Sequence, residues 1–171
     1  MWRERTITQT KPKMHSTIFQ VTKEPIPQDE WLTPVDIDDT WFVGDIADYV
    51  ADSNRGNDIA WLKETTKGVF DVACEGDNVE TGTCRIKLLP CGKKEHFGER
   101  FHNLKEAVEQ TTLEQFCEDG MEEYNIRTLV LKRFCFYVYD DERNLIPLDT
   151  FIRRSEEGTE YYLGGTVDYH H

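Results

Sequence analysis

The stretch LVLKRFCFYVY, Leu129–Tyr139, sets apolar or aromatic side chains at odd and even positions alike. A run that is apolar on both faces of an extended chain predicts a strand with neighbours on both sides, at the centre of a sheet. Downstream, Asp140-Asp141-Glu142-Arg143-Asn144 reads as a turn into a strand over Leu145–Arg153. Glu156-Glu157-Gly158 turns the chain again into a last strand over Tyr161–Tyr169. The three make an expected C-terminal β-meander. Gly164-Gly165 lies inside the last strand and reads as a bulge or bend, not a binding loop.

Working back toward the N-terminus, Thr112 with Gln115 and Asn103 with Glu106 have capping spacing and predict helix starts. Leu113, Phe116, Cys117, Met121 and Tyr124 then form one apolar helical stripe. Residues 91–102 lack clear periodicity and read as a loop. Val69–Cys74 and Thr83–Leu89 predict a hairpin, and a short helix is expected at Asp58–Thr66. Asp39 is a sensible N-cap for a helix over Trp41–Ala51, where Phe42, Ile46, Tyr49 and Val50 recur at helical spacing. Pro25, Pro27 and Pro34 forbid helix between this segment and a first strand at Ser16–Thr22. Residues 1–13 are a polar segment, read as a flexible N-terminal arm before a single domain over 14–171. Hairpins mixed with helices give an α+β expectation, a mainly antiparallel sheet with helices packed on one face.

With 171 residues, 38% hydrophobic and 12% aromatic, the chain is long and apolar enough for a core without disulfide staples. No run approaches about 18 apolar residues, the length that would span a membrane. The five cysteines are odd in number and sparse, which argues for reduced thiols and a cytoplasmic setting. Phosphate-cradling, nucleophile-elbow and zincin motifs are absent, so no enzyme activity and no cofactor are expected. The alternative is a zinc- or thiol-dependent site on Cys74, Cys84, Cys91 and His96. A hairpin would bring the first two together, and zinc takes four thiolate or imidazole ligands.

Charge carries the functional expectation. The net charge is −13, from 33 acidic and 20 basic side chains. Residues 29–80 hold fourteen acids against three bases, and 106–125 hold seven acids and no base; the block between, 81–105, is basic. Asp45, Asp48 and Asp52 fall on one face of the first expected helix, and Glu114, Glu118 and Glu122 on one face of the second. Like charges at this spacing disfavour a helix by about 0.2–0.5 kcal/mol per pair, so their retention calls for a reason. Carboxylates about 6 Å apart in a row imitate a phosphate backbone. The expected function is therefore an acidic protein–protein interaction module, an inhibitor or regulator that occupies a basic, nucleic-acid-binding surface of another protein. An immunity- or antitoxin-like binder of a basic toxin fits the same charge map. Trp31, in a proline-rich acidic loop, is the aromatic expected at the partner contact, whereas Trp41 and Trp61 are expected in the core.

Overall fold

The computed structural model describes residues 14–118, 120–130, 132 and 135–171, with the side chains of 120–123 excepted. The expected arm at 1–13 lies outside the described residues.

The fold is α+β around a seven-stranded mixed sheet. The strands are β1 (His15–Thr22), β2 (Tyr49–Asp52), β3 (Phe70–Cys74), β4 (Cys84–Leu88), β5 (Tyr137–Tyr139), β6 (Leu145–Pro147) and β7 (Glu160–His170). Their order is β3-β4-β7-β1-β5-β6, and β2 lies alongside the far end of β7. β1 and β5 run parallel; the other pairings are antiparallel. The helices are α1 (Val35–Asp38), α2 (Phe42–Asp45), α3 (Arg55–Thr65), α4 (Gly92–Gln110), α5 (Leu113–Glu118), α6 (Gly120–Val130) and α7 (Leu148–Arg154).

The organising element is β7. Its first residues pair with β4 and its last with β2, while β1 follows it along the other edge. Between Phe19 and Val21 the register slips: Phe19 opposes Thr166, but Val21 opposes Leu163. The extra residue is taken up at Gly164-Gly165. Since strand side chains alternate faces, one inserted residue reverses the parity of all that follows. Tyr161 and Leu163 therefore pack in one core with Phe19, Val21, Ile59, Leu62, Phe151 and Ile152. Val167 and Tyr169 pack in the other, with Ile18, Ile37, Phe42 and Tyr137. There Phe42 meets Tyr137 and Tyr169 edge to face, at 4.8 and 5.1 Å between ring centroids.

The bulge is held from two sides. The Gln20 side chain is buried, and its Oε1 accepts from the backbone N–H of Gly165 (3.0 Å) and of Leu32 (2.8 Å). Its Nε2 donates to the Glu30 carbonyl at 3.1 Å. Where β4 ends, opposite Leu163, and β2 has not begun, buried Arg55 donates Nε to the Gly164 carbonyl (2.7 Å) and Nη2 to that of Leu163 (2.8 Å). Its Nη1 donates to the Val79 carbonyl. Burial pulls the Arg55 pKa down, with Glu80 opposing. Both glycines are required: a Cβ on Gly165 would lie 2.4 Å from the Leu32 carbonyl oxygen, and one on Gly164 would lie 2.2 Å from Gln20 Oε1.

Several expectations need correction. The helix over Trp41–Ala51 does not form. Gly44, at φ 102°, breaks it after one turn, and Tyr49–Asp52 are drawn out as β2 by the open edge of β7. Residues 92–102 are helix, continuous with 103–110 as α4, and Cys91 is its N-cap. Leu129 and Val130 end α6, so among the described residues of the expected central strand only Tyr137–Tyr139 form a strand. Those three do have neighbours on both sides, Val138 facing one core and Tyr137 the other. The expected strand Leu145–Arg153 divides at Pro147, whose fixed φ of −56° opens α7; Leu148, Phe151 and Ile152 then bury one helical face. No C-terminal meander results, because β7 crosses to lie between β4 and β1. Nor are helices confined to one face: α3 and α7 cover one core, and α1 and α2 the other. The expected β1, α3, β3–β4 hairpin and β7 are all present, as is the glycine bulge.

Gly165→Ala should destabilise the protein by about 2 kcal/mol or more, because the new methyl group meets backbone rather than a movable side chain. Gln20→Ala should cost about 2–4 kcal/mol, since it strands two buried N–H groups. Urea denaturation checks both, and losses well under about 1 kcal/mol would mean that the bulge is not a structural clasp.

Candidate functional site

Beside the bulge lies a groove of about 610 Å³, formed where the loop after β1 faces the β5–β6 turn. Trp31, Leu32 and Ile26 line one side and Tyr139 the other. The loop is fixed at its far end by Gln20 and at its near end by Thr22 Oγ1, which donates to the Glu24 carbonyl at 2.7 Å. Asp141 joins loop and turn, since both its carboxylate oxygens accept from the Lys23 N–H at 3.2 Å. Trp31 is half-buried. Its indole N–H donates to the Ile26 carbonyl at 3.2 Å, and the Arg55 guanidinium lies 4.2 Å from its ring centroid.

Among the described residues, six carboxylates line this groove, those of Glu24, Asp29, Glu30, Asp36, Asp140 and Asp141, against one guanidinium, that of Arg143. Three have local structural duties. Asp36 accepts from Thr33 N–H and Oγ1, both at 2.8 Å. Asp140 accepts from the Asn144 N–H at 2.8 Å and closes the hairpin turn, and Asp141 is engaged as above. Glu24, Asp29 and Glu30 are exposed, and no hydrogen bond or ion pair to their carboxylates is found among the described residues. The field reaches Tyr139: burial, with Asp36 and Asp140, pushes its phenol upward against the opposing Arg143.

Of the expected partner-binding residues, Trp31 is in the groove and the acids are elsewhere. Asp45, Asp48 and Asp52 are exposed but share no helical face, being at the end of α2, in a connection and at the end of β2. Glu114 and Glu118 are exposed on α5; the Glu122 side chain lies outside the described residues. The apolar stripe expected opposite them is not buried, with Leu113 72%, Phe116 58% and Tyr124 63% exposed. The reciprocal Thr112–Gln115 cap is present, with Thr112 N–H donating to Gln115 Oε1 (2.8 Å) and Gln115 N–H to Thr112 Oγ1 (3.2 Å). Trp41 and Trp61, expected in the core, are 55% and 45% exposed. The acids that converge on the groove share no helical stripe, because they come from two segments more than a hundred residues apart in sequence. The local signal was present in the proline-punctuated acids of 24–36 and in the Asp140-Asp141 turn.

The alternative metal site is overturned. The hairpin does bring Cys74 and Cys84 together, but as a disulfide, so neither is a thiolate ligand. The bridge also corrects the expectation that every thiol is reduced, and with it the cysteine argument for a cytoplasmic setting. Cys91 is exposed at the start of α4. His96 turns inward, its Nε2 2.7 Å from Asp149 Oδ1, while Arg100 Nη1 lies 2.6 Å from Oδ2 of the same carboxylate. Burial raises the Asp149 pKa, but the hydrogen bonds and charges of His96 and Arg100 outweigh it and hold the group at about 2. Burial pushes the Cys135 thiol up to about 11, with Asp149 adding to the effect, so it is no ready nucleophile.

Compared with protein-family models, curated proteins and solved structures, the chain matches none. Among the described residues no helix is long and apolar enough to cross a membrane.

Unfolded without reductant, the protein should present three reactive thiols per chain, and five after reduction. Five before reduction would restore the thiol ligand set. For Asp149, whose folded pKa is depressed from 3.8, the stabilisation is complete above about pH 4 and lost as the pH falls through about 2. Asp149→Asn should therefore be less stable than wild type at neutral pH, with the difference narrowing toward about pH 2 in urea titrations.

Proposed function

We propose that this chain is an acidic protein–protein interaction module that receives Lys and Arg side chains of a basic partner in the groove at Trp31. The partner class is a protein with a basic, nucleic-acid-binding surface, which the module occupies as an inhibitor or regulator. In this reading it binds and does not catalyse. The supporting observation is the convergence, among the described residues, of six carboxylates and two aromatic side chains on one groove with one opposing cation. Three of those carboxylates have no hydrogen-bond or ion-pair partner among the described residues. A net charge of −13 adds long-range attraction, which acts mainly on the rate of encounter.

The test uses an arginine-rich peptide as probe, with Trp31 fluorescence as one readout and calorimetry as another. Affinity should fall steeply with salt, because exposed charges are screened within about 10 Å at 0.1 M. Reversing Glu24, Asp29 and Glu30 together to lysine should slow association at least about tenfold with little loss of stability, since exposed substitutions typically cost under about 0.5 kcal/mol each. Reversal of Asp45, Asp48 and Asp52, or of Glu114, Glu118 and Glu122, should have a smaller effect. Binding that ignores salt and the groove reversal, or that follows either comparison set instead, removes the groove from the reading.

A further inference from the structure

His170 directly opposes His15 across the β1–β7 ladder, and Asp168 precedes His170 by two residues. Residues two apart on a strand share a face, and directly opposed residues do as well. The register alone therefore gathers two imidazoles and a carboxylate on one side of the sheet. His15 Nδ1 lies 2.9 Å from Asp168 Oδ2, and His170 Nε2 lies 3.0 Å from the same oxygen. All three ligand atoms lie within 4.8 Å of one another.

We infer that His15, Asp168 and His170 form a binding site for one divalent first-row transition ion, of which Zn²⁺ is the natural probe. Two imidazoles and a carboxylate are a donor set such ions take, with the remaining positions left to water or a further ligand. Tetrahedral bonds of about 2.1 Å put ligand atoms roughly 3.4 Å apart. The two histidine–carboxylate separations need to open by only a few tenths of an ångström, and the two ring nitrogens already lie within 4.8 Å of each other. The surroundings fit as well. From β2, the Tyr49 hydroxyl lies 2.8 Å from His170 Nδ1, and the Tyr49 ring stacks on the imidazole at 4.0 Å between centroids. An outer partner on the second nitrogen fixes the ring and directs Nε2 at the metal position. Burial is graded: His170 is buried, Asp168 half-buried and His15 exposed, so the site has rigid support behind and access in front.

Without an ion, the Asp168 oxygen can accept N–H bonds from both rings. Metal binding moves each ring proton to its other nitrogen, which for His170 faces Tyr49 and for His15 leaves Nδ1 free to bind. The inference is independent of the groove, because no residue is shared between the two.

The experiment uses protein purified without a polyhistidine tag, with its disulfide intact. Titration with Co²⁺ should give one saturable visible d–d absorption per chain, displaced by Zn²⁺, and calorimetry with Zn²⁺ should give one ion per chain. His15→Ala, at an exposed position where misfolding is not expected, should abolish the cobalt band. Asp168→Asn should weaken Zn²⁺ binding by at least about tenfold, and Tyr49→Phe by about tenfold through loss of the outer hydrogen bond. No saturable band in the wild type would overturn the site, and so would a band that survives His15→Ala, which would place the ion on the free cysteines or other histidines.

Discussion

A strand that changes partners halfway along must leave backbone groups without a ladder, and this constraint governs the molecule. β7 pairs with β4 as far as Leu163 and with β2 from Val167, and at this changeover the carbonyls of Leu163 and Gly164 are met by Arg55. Buried carbonyls and N–H groups left alone cost about 1–3 kcal/mol each. Arg55 and Gln20 remove that cost, one supplying donors from the edge and the other an acceptor across the bulge. The same bulge reverses the facing of every later residue, which lets one strand contribute Leu163 to the first core and Val167 and Tyr169 to the second.

The groove inherits its shape from this clasp. Gln20 holds Gly165 and, with the same oxygen, Leu32, so the loop carrying Trp31 is tied to the sheet at the point where the strand is irregular. Arg55 extends the link by placing its guanidinium on the Trp31 ring. The segment 24–33, with little regular structure of its own, is thereby tied to the sheet by side-chain contacts. Asp141, bonded to the Lys23 N–H, sets the opposite wall at a fixed distance. For the proposed binding of a basic partner, such preorganisation would lower the entropy lost on association.

Much of the sheet was legible because its signals are local. The β-branched and aromatic run Ser16–Thr22, the β3–β4 hairpin and the glycine pair in β7 each specify their own geometry. What could not be read was decided by distant residues. Tyr49–Asp52 look helical by spacing, yet the open edge of β7 and the left-handed Gly44 make them a strand. The apolar run Leu129–Tyr139 is ambiguous between helix and strand by periodicity alone, and it is divided between α6 and β5. The groove is harder still, since its walls are joined by Lys23 and Asp141, far apart in sequence. Of the candidate site only Trp31 was readable in advance. His170 was equally opaque, because nothing in a terminal histidine pair announces that a strand opposite carries His15.

The acidity resolves into two populations with different physical standing. Asp36, Asp140, Asp141 and Asp149 each accept hydrogen bonds that close a turn, join a loop or anchor a helix, so folding accounts for them. The basic minority is partly drawn inward: Arg55 lies against carbonyls and an indole, and Arg100 and His96 converge on Asp149. Glu24, Asp29 and Glu30 stand apart. They crowd one groove, repel one another and the structural acids beside them, and make no compensating contact among the described residues. A solubility role would be served as well by acids dispersed over the surface, without that mutual repulsion. Concentration on an aromatic-lined groove with fixed walls is the arrangement that a cation-bearing partner relieves, since its charges enter where the repulsion is greatest.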